Sequence, residues 1–151
     1  MLKKNALVPD LDLEDHTGQL VSLRSYIGEK PLVVYFYPKN NTPGCTAEAC
    51  AFRDNYQDFT DLGAEVIGIS GDSISSHENV RKKRKLPFIL LSDRKRKAEK
   101  AFGVPRNLFG MLPGRVTFVI DKEGSIVHTF TSASNPTKHV DEALRHIKKL
   151  V

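Results

Sequence analysis

The sequence predicts an α/β fold, with a mixed central β-sheet, helices on both faces and an N-terminal β-hairpin. Three observations carry this prediction. Apolar, β-branched runs alternate with segments of helical periodicity as far as residue 91, giving the order β-α-β-α-β that suits parallel strands. Beyond them, two strand-like runs joined by a tight polar turn make part of the sheet antiparallel. With 151 residues and 40% hydrophobic content, residues 1–151 are expected to form one domain with its own core and no disulfide staples.

The elements follow in order. Leu11 to Leu23 carries hairpin signals around Thr17-Gly18-Gln19, and Pro31 to Tyr37 reads as a strand buried on both faces. A helix follows: Thr42 suits its N-cap, Pro43 its first position, and Ala49, Phe52, Tyr56 and Phe59 recur at spacings of three and four until Gly63 stops it. Ala64 to Ser70 is a second buried strand, Ser75 to Lys85 a polar helix and Pro87 to Leu91 a third strand. A short basic helix from about Arg94 to Ala101 leads into a glycine- and proline-rich connection over 102–114. Arg115 to Ile120, the turn at 121–124 and Ser125 to Phe130 form an antiparallel hairpin. The last helix begins near Pro136, with Val140, Leu144, Ile147 and Leu150 on one face. No repeat, linker or second domain is visible.

Composition excludes several classes. No apolar run approaches the roughly 20 residues of a membrane span, no signal-peptide core is present, and Met1 to Asn5 is too short for a transit peptide. Two cysteines are too few for a secreted disulfide scaffold. These readings point to a reducing compartment, most simply the cytoplasm, where a cysteine pair is catalytic or metal-binding.

Both cysteines lie in Thr42-Pro43-Gly44-Cys45-Thr46-Ala47-Glu48-Ala49-Cys50, directly after the first long strand. A thiol at a strand-to-helix junction is placed for reactivity, because the free N–H groups and dipole of the helix start favour thiolate over thiol. The arrangement looks like the thioredoxin fold, but the spacing differs from C-x-x-C. Positions five apart on an ideal helix have Cα atoms roughly 8.6 Å apart, beyond the reach of about 7 Å that a disulfide allows. Cys45 and Cys50 therefore cannot join while their helix is intact. Such a pair suits a two-stage task in which one cysteine reacts in the folded form and the second captures its oxidised product after local unwinding.

Pro38-Lys-Asn-Asn-Thr42-Pro43-Gly44-Cys45 resembles the P-x-x-x-T-x-x-C signature of peroxiredoxins, and with Cys50 it is similar to their Q branch, the bacterioferritin comigratory proteins. The resemblance extends to Leu90-Leu-Ser-Asp93, Phe102-Gly-Val104 and Leu112 to Asp121. It implies a peroxidatic Cys45, a resolving Cys50, a peroxide-binding Thr42 hydroxyl, an Arg115 guanidinium near the thiolate and a shielding Pro38. The implied activity is thioredoxin-dependent reduction of hydrogen peroxide and organic hydroperoxides, with no metal or prosthetic group. A monomer is the implied state, since an internal resolving cysteine needs no partner subunit.

Ionisation alone cannot make such a site fast. An ordinary cysteine of pKa about 8.5 is roughly 3% thiolate at pH 7, so full ionisation supplies about 30-fold, or about 2 kcal/mol. The rest must come from aligning the peroxide and stabilising the departing oxygen, for which the Gly44 and Cys45 N–H groups, Thr42 and Arg115 are donors of the right kind. Read without the resemblance, the same residues have plainer roles: Cys50 as a core residue, Thr42 as a helix cap, Arg115 as a solvated strand start and Pro38 as a strand end.

Two basic runs, 81–85 and 94–97, account for most of the net charge of +5. They read as solvated helix faces, suited to docking an acidic reductase, rather than as a nucleic-acid interface, for which a stacking aromatic motif is missing. His16, His77, His128, His139 and His146 show no spacing with each other or the cysteines that suggests a metal site, and read as surface or structural residues. The connection 102–114 is read as a packed segment, with a hydrophobic rim for bulky hydroperoxides as its alternative. A thioredoxin-like disulfide reductase is disfavoured by the C-x₄-C spacing.

Overall fold

The structure, a computed structural model, describes residues 1–107 and 112–150. Strands β1 (Asp12–Asp15) and β2 (Leu20–Ser22) form the expected hairpin. Its turn is held by Asp15, whose Oδ1 accepts from the Thr17 N–H at 2.8 Å, the Thr17 hydroxyl at 2.6 Å and the Gln19 N–H at 3.1 Å. A single 3-10 turn, Leu23–Tyr26, leads to β3 (Leu32–Phe36), in which every residue is buried.

The helix expected to run to Gly63 is two helices, α1 (Pro43–Asp54) and α2 (Tyr56–Asp61). Asn55 separates them, with φ −109° and ψ 7°, and its side-chain amide donates to the Ala51 carbonyl at 2.8 Å. An asparagine that competes with the backbone for a helical carbonyl ends the helix, although the apolar spacing continues. Gly63 does close α2. At φ +78° it donates to Thr60 O while Ala64 donates to Phe59 O, the paired bonds of a left-handed helix end.

Next come β4 (Glu65–Ser70), α3 (Ile74–Arg84), β5 (Ile89–Ser92), α4 (Lys97–Phe102), the two-residue strands β6 (Arg106–Asn107) and β7 (Leu112–Pro113), β8 (Val116–Ile120), β9 (Ile126–Thr131) and α5 (Lys138–Lys148). Seven strands form one sheet in the order β2-β1-β5-β4-β3-β8-β9. The central β3, β4 and β5 are parallel, and β1, β8 and β9 join antiparallel. The mixed sheet of the prediction is thus present.

Alternation along β3 sorts the core. Val33 and Tyr35 face a cluster with Phe52 of α1, Phe59 of α2, Val80 of α3 and Val140, Ala143 and Ile147 of α5. Leu32, Val34 and Phe36 face a second cluster with Ala98 and Phe102 of α4. Helices therefore cover both faces. Leu150 departs from its expected face: it lies beyond the end of α5 and is exposed.

The basic runs have local explanations. Residues 81–84 form the last turn of α3, where cations complement the free carbonyls, and Lys85 ends the helix at φ +55°. Arg94 to Arg96 are not helical, contrary to expectation. Arg96 has φ +60°, and α4 starts only after it because the Asp93 carboxylate accepts from the N–H groups of Ala98 and Glu99, both at 2.9 Å. In the connection 102–114, Phe102 and Val104 are buried, as a packed segment requires. The rim is the alternative for the whole of 102–114, and residues 108–111 of that connection lie outside the described residues.

Candidate active site

The carboxyl end of β3 delivers the chain to the start of α1, and β8 runs antiparallel beside it with Val116 opposite Phe36. Arg115, the residue before β8, is thereby placed next to the start of α1. Its Nη2 donates to Cys45 Sγ at 3.4 Å and its Nη1 to Glu48 Oε1 at 2.7 Å. Cys45, Glu48 and Arg115 are all buried. A Cβ on Gly44 would come within 2.9 Å of Arg115 Nη2, so glycine leaves the space that the guanidinium fills.

The sequence candidates are brought together unequally. Thr42 occupies the cap position, but its hydroxyl donates outward to Lys39 O at 2.9 Å and caps no helical N–H. The first bond into α1 is from Thr46 N–H to Thr42 O, so the N–H groups of Gly44 and Cys45 have no intrahelical partner. Cys50 is half-buried on the same unbroken helix, and both cysteines are free. Pro38, half-buried, lines a cleft of about 290 Å³ with Phe36, Asp72, Arg94 and Arg106, a different space from the cavity beside Cys45. That cavity is small, about 10 Å³ between Tyr37, Asn41, Cys45 and Leu90, room for roughly one water.

Sequence reasoning missed Glu48. It stands three residues after Cys45, one helical turn away on the same face, and that spacing was the available signal. Burial pushes the Glu48 carboxyl up to about 8, against the opposing pull of Arg115. Burial works against the Arg115 charge as well, and there Glu48 and Cys45 outweigh it.

Two histidines read as surface or ordinary structural residues are fully buried near this site. His139 Nε2 donates to Ser132 O at 2.9 Å, so its Nδ1 accepts from the Thr117 hydroxyl at 2.7 Å. Burial drives His139 down to about 4. Its unprotonated Nδ1 faces Glu48 Oε2 at 3.6 Å, an acceptor against an acceptor, which favours the protonated carboxyl. His77 tethers the loop before α1. Its Nε2 donates to Leu91 O, its Nδ1 accepts from the Asn40 amide at 3.0 Å, and Asn40 Oδ1 accepts from the Tyr37 hydroxyl at 2.7 Å.

The Glu48 and His139 shifts have opposite signs and a testable sum. Folded Glu48 holds its proton to about 8 against an ordinary 4.5, so this group's stability contribution falls as pH rises between those values. Folded His139 loses its proton near 4 against an ordinary 6.5, so its contribution rises over that span. The two cancel from about 4.5 to 6.5, and Glu48 acts alone above that. The wild type is expected to lose roughly 2 kcal/mol relative to Glu48→Gln between about pH 6.5 and 8, at about 1.4 kcal/mol per pH unit. Urea unfolding of both proteins at the two pH values checks this, and parallel profiles would overturn it.

A mixed seven-stranded sheet with a buried thiol at a helix start, capped by an arginine from the neighbouring strand, defines a thiol-active protein of thioredoxin fold. The AhpC/TSA family profile matches residues 5–129, and the chain belongs to that family. Peroxiredoxins of the Q branch are among its relatives. A chloroplastic peroxiredoxin Q of Sedum lineare is 52% identical over 147 residues, 97% of this chain and 78% of the relative. The crystal structure of a peroxidoxin of Mycobacterium tuberculosis superposes with a TM-score of 0.92 at 35% identity, covering 100% of this chain and 99% of that one. A bacterioferritin comigratory protein of Xanthomonas campestris, described for its alkyl peroxide reduction activity, gives a TM-score of 0.86 at 33% identity over 99% and 97% of the two chains. The protein is a thiol peroxidase of this kind.

Proposed function

We propose that the protein reduces hydrogen peroxide and organic hydroperoxides at Cys45, that Cys50 then closes an intramolecular disulfide, and that thioredoxin or a similar dithiol reductant reopens it. The observation that carries this reading is Arg115 Nη2 at 3.4 Å from Cys45 Sγ, beside a helix start with two free N–H groups. The Cys45 thiolate attacks one peroxide oxygen. An S–O bond forms, the O–O bond breaks, and the departing oxygen leaves as water or alcohol after taking a proton, while Cys45 becomes a sulfenic acid. Arg115 and the Gly44 and Cys45 N–H groups stabilise the charge that develops on oxygen. The Thr42 hydroxyl, its proton committed to Lys39 O, keeps lone pairs to accept the peroxide O–H. Pro38, two residues beyond β3, is given the shielding role that the resemblance implies, from the side of the cleft it lines with Phe36 and Asp72.

Resolution requires α1 to unwind across residues 45–50. Cys50 sulfur then displaces hydroxide from the sulfenic acid, a disulfide forms and water is released. Phe52, buried and stacked on Tyr35 with ring centroids 4.6 Å apart, anchors the remainder of α1. A dithiol reduces the disulfide and is itself oxidised. An internal resolving thiol supports a monomer, and the need for a dithiol donor supports a reducing compartment such as the cytoplasm. The exposed Lys82, Lys83 and Lys85, with the exposed cations of 94–97, supply a docking charge for an acidic reductase, and nucleic acid has no part in this reading.

Intact mass before and after one equivalent of hydrogen peroxide tests the cycle. A loss of about two mass units, reversed by thioredoxin, is expected. A gain of about 16 or 32 units would remove the role given to Cys50, and an unchanged mass would remove the peroxidase reading.

A further inference from the structure

We infer that His128, Glu142 and His146 form a surface site for a borderline divalent transition-metal cation of the zinc type, with two imidazole nitrogens and one carboxylate oxygen as ligands. The spacing of histidines and cysteines alone did not show it, because one ligand is a glutamate and another comes from a different element. Glu142 and His146 are four residues apart on α5, hence on one face, and His128 projects from β9 towards them.

Three features point to a ligand. First, the donor atoms already converge: all lie within 4.8 Å of one another, with Glu142 Oε2 at 3.0 Å from His128 Nε2 and 3.9 Å from His146 Nε2. Ligands around tetrahedral zinc stand about 3.3 Å apart, so the donor spacing is near that of a site, and turning the two rings out of their stack aims both lone pairs at one ion. Second, His146 Nε2 is shielded from solvent and has no hydrogen-bond partner among the described residues, a polar atom aimed into the cluster. Third, the two imidazoles stack with centroids 3.6 Å apart and planes 13° apart. Two rings so close resist carrying two protons. Neutral imidazole is the form that binds metal.

One proton now does the work of a cation. His128 Nε2 shares it with Glu142 Oε2, and among the described residues nothing hydrogen-bonds to His146 Nε2. A divalent ion that replaces that proton takes all three donors at once. The elements are rigid enough for this: Val140, Ala143 and Ile147 pin α5 to the core, and β9 is paired to β8 with His128 opposite Val119. The three side chains are between 17% and 25% exposed, which leaves an open side for water or an added ligand. Two nitrogens and one oxygen select zinc, cobalt or nickel over magnesium and calcium. Arg145 is the built-in competitor, donating to the same Oε2 at 2.8 Å.

The test is a Zn²⁺ titration of the reduced full-length protein, with the imidazole nitrogen resonances of all five histidines followed by NMR. The rings of His128 and His146 are expected to shift together and saturate at one equivalent, with no response to Mg²⁺. His146→Gln should weaken binding by at least about tenfold, and Arg145→Gln, which frees Oε2, should tighten it. Both positions are near the surface, so each variant is expected to fold. Zinc uptake that leaves both rings unshifted, as binding at the cysteines would, overturns the site, as does unchanged affinity in His146→Gln. The outcome is independent of peroxidase turnover.

Discussion

Cys45→Ser is expected to abolish peroxide consumption, a loss of at least about a thousandfold, because a serine hydroxyl is a far weaker nucleophile than a thiolate and cannot form the S–O bond. Cys45 is a small side chain that is 4% exposed, and serine fills nearly the same volume, so the fold should persist. Cys50→Ser separates the two stages. It should consume one equivalent of peroxide at the wild-type rate and then stop when thioredoxin is the only reductant. Single-turnover and steady-state peroxide consumption, measured on both variants, check this. Normal steady-state activity in Cys45→Ser would sink the mechanism, and normal thioredoxin-driven turnover in Cys50→Ser would remove the internal disulfide from it.

Arg115 and Glu48 should fail in different ways although they are partners at 2.7 Å. Arg115→Met removes the donor to Cys45 Sγ, and kcat/KM for peroxide is expected to fall roughly 10²- to 10³-fold. Its stability near neutral pH should change little, because Glu48, whose carboxyl already keeps its proton up to about 8, stays neutral when the guanidinium is gone. Glu48→Leu has no such escape. The Arg115 guanidinium cannot shed its charge, and a buried donor that loses its acceptor at 2.7 Å is expected to cost about 1–3 kcal/mol of stability. Urea unfolding midpoints of the two variants test the asymmetry, and equal destabilisation would overturn it.

Much of the site was legible because it is local. Thr42, Pro43, Gly44 and Cys45 are consecutive, and one turn of chain places the thiol at a helix start. The Arg115 contact is not local: 70 residues separate it from Cys45, and only the antiparallel pairing of β8 with β3 closes that distance. The resemblance supplied Arg115, and it said nothing of Glu48, whose role depends on having no solvent within reach. Thr42 shows the reverse case, a residue whose cap position follows from sequence while its hydroxyl direction, towards Lys39 O, does not.

Hydrophobic periodicity determined the α/β class, the order of the elements and the two-sided burial of β3, because period and run length report directly which side chains leave water. Helical rise alone determined that Cys45 and Cys50 are held apart. Tertiary structure decided what depends on neighbours remote in sequence: the burial of His77 and His139, the raised Glu48 carboxyl and the meeting of His128 with Glu142 and His146. Charge state and ligand geometry are set by desolvation and by distances across the fold, and neither is carried by residue type or spacing along a single element.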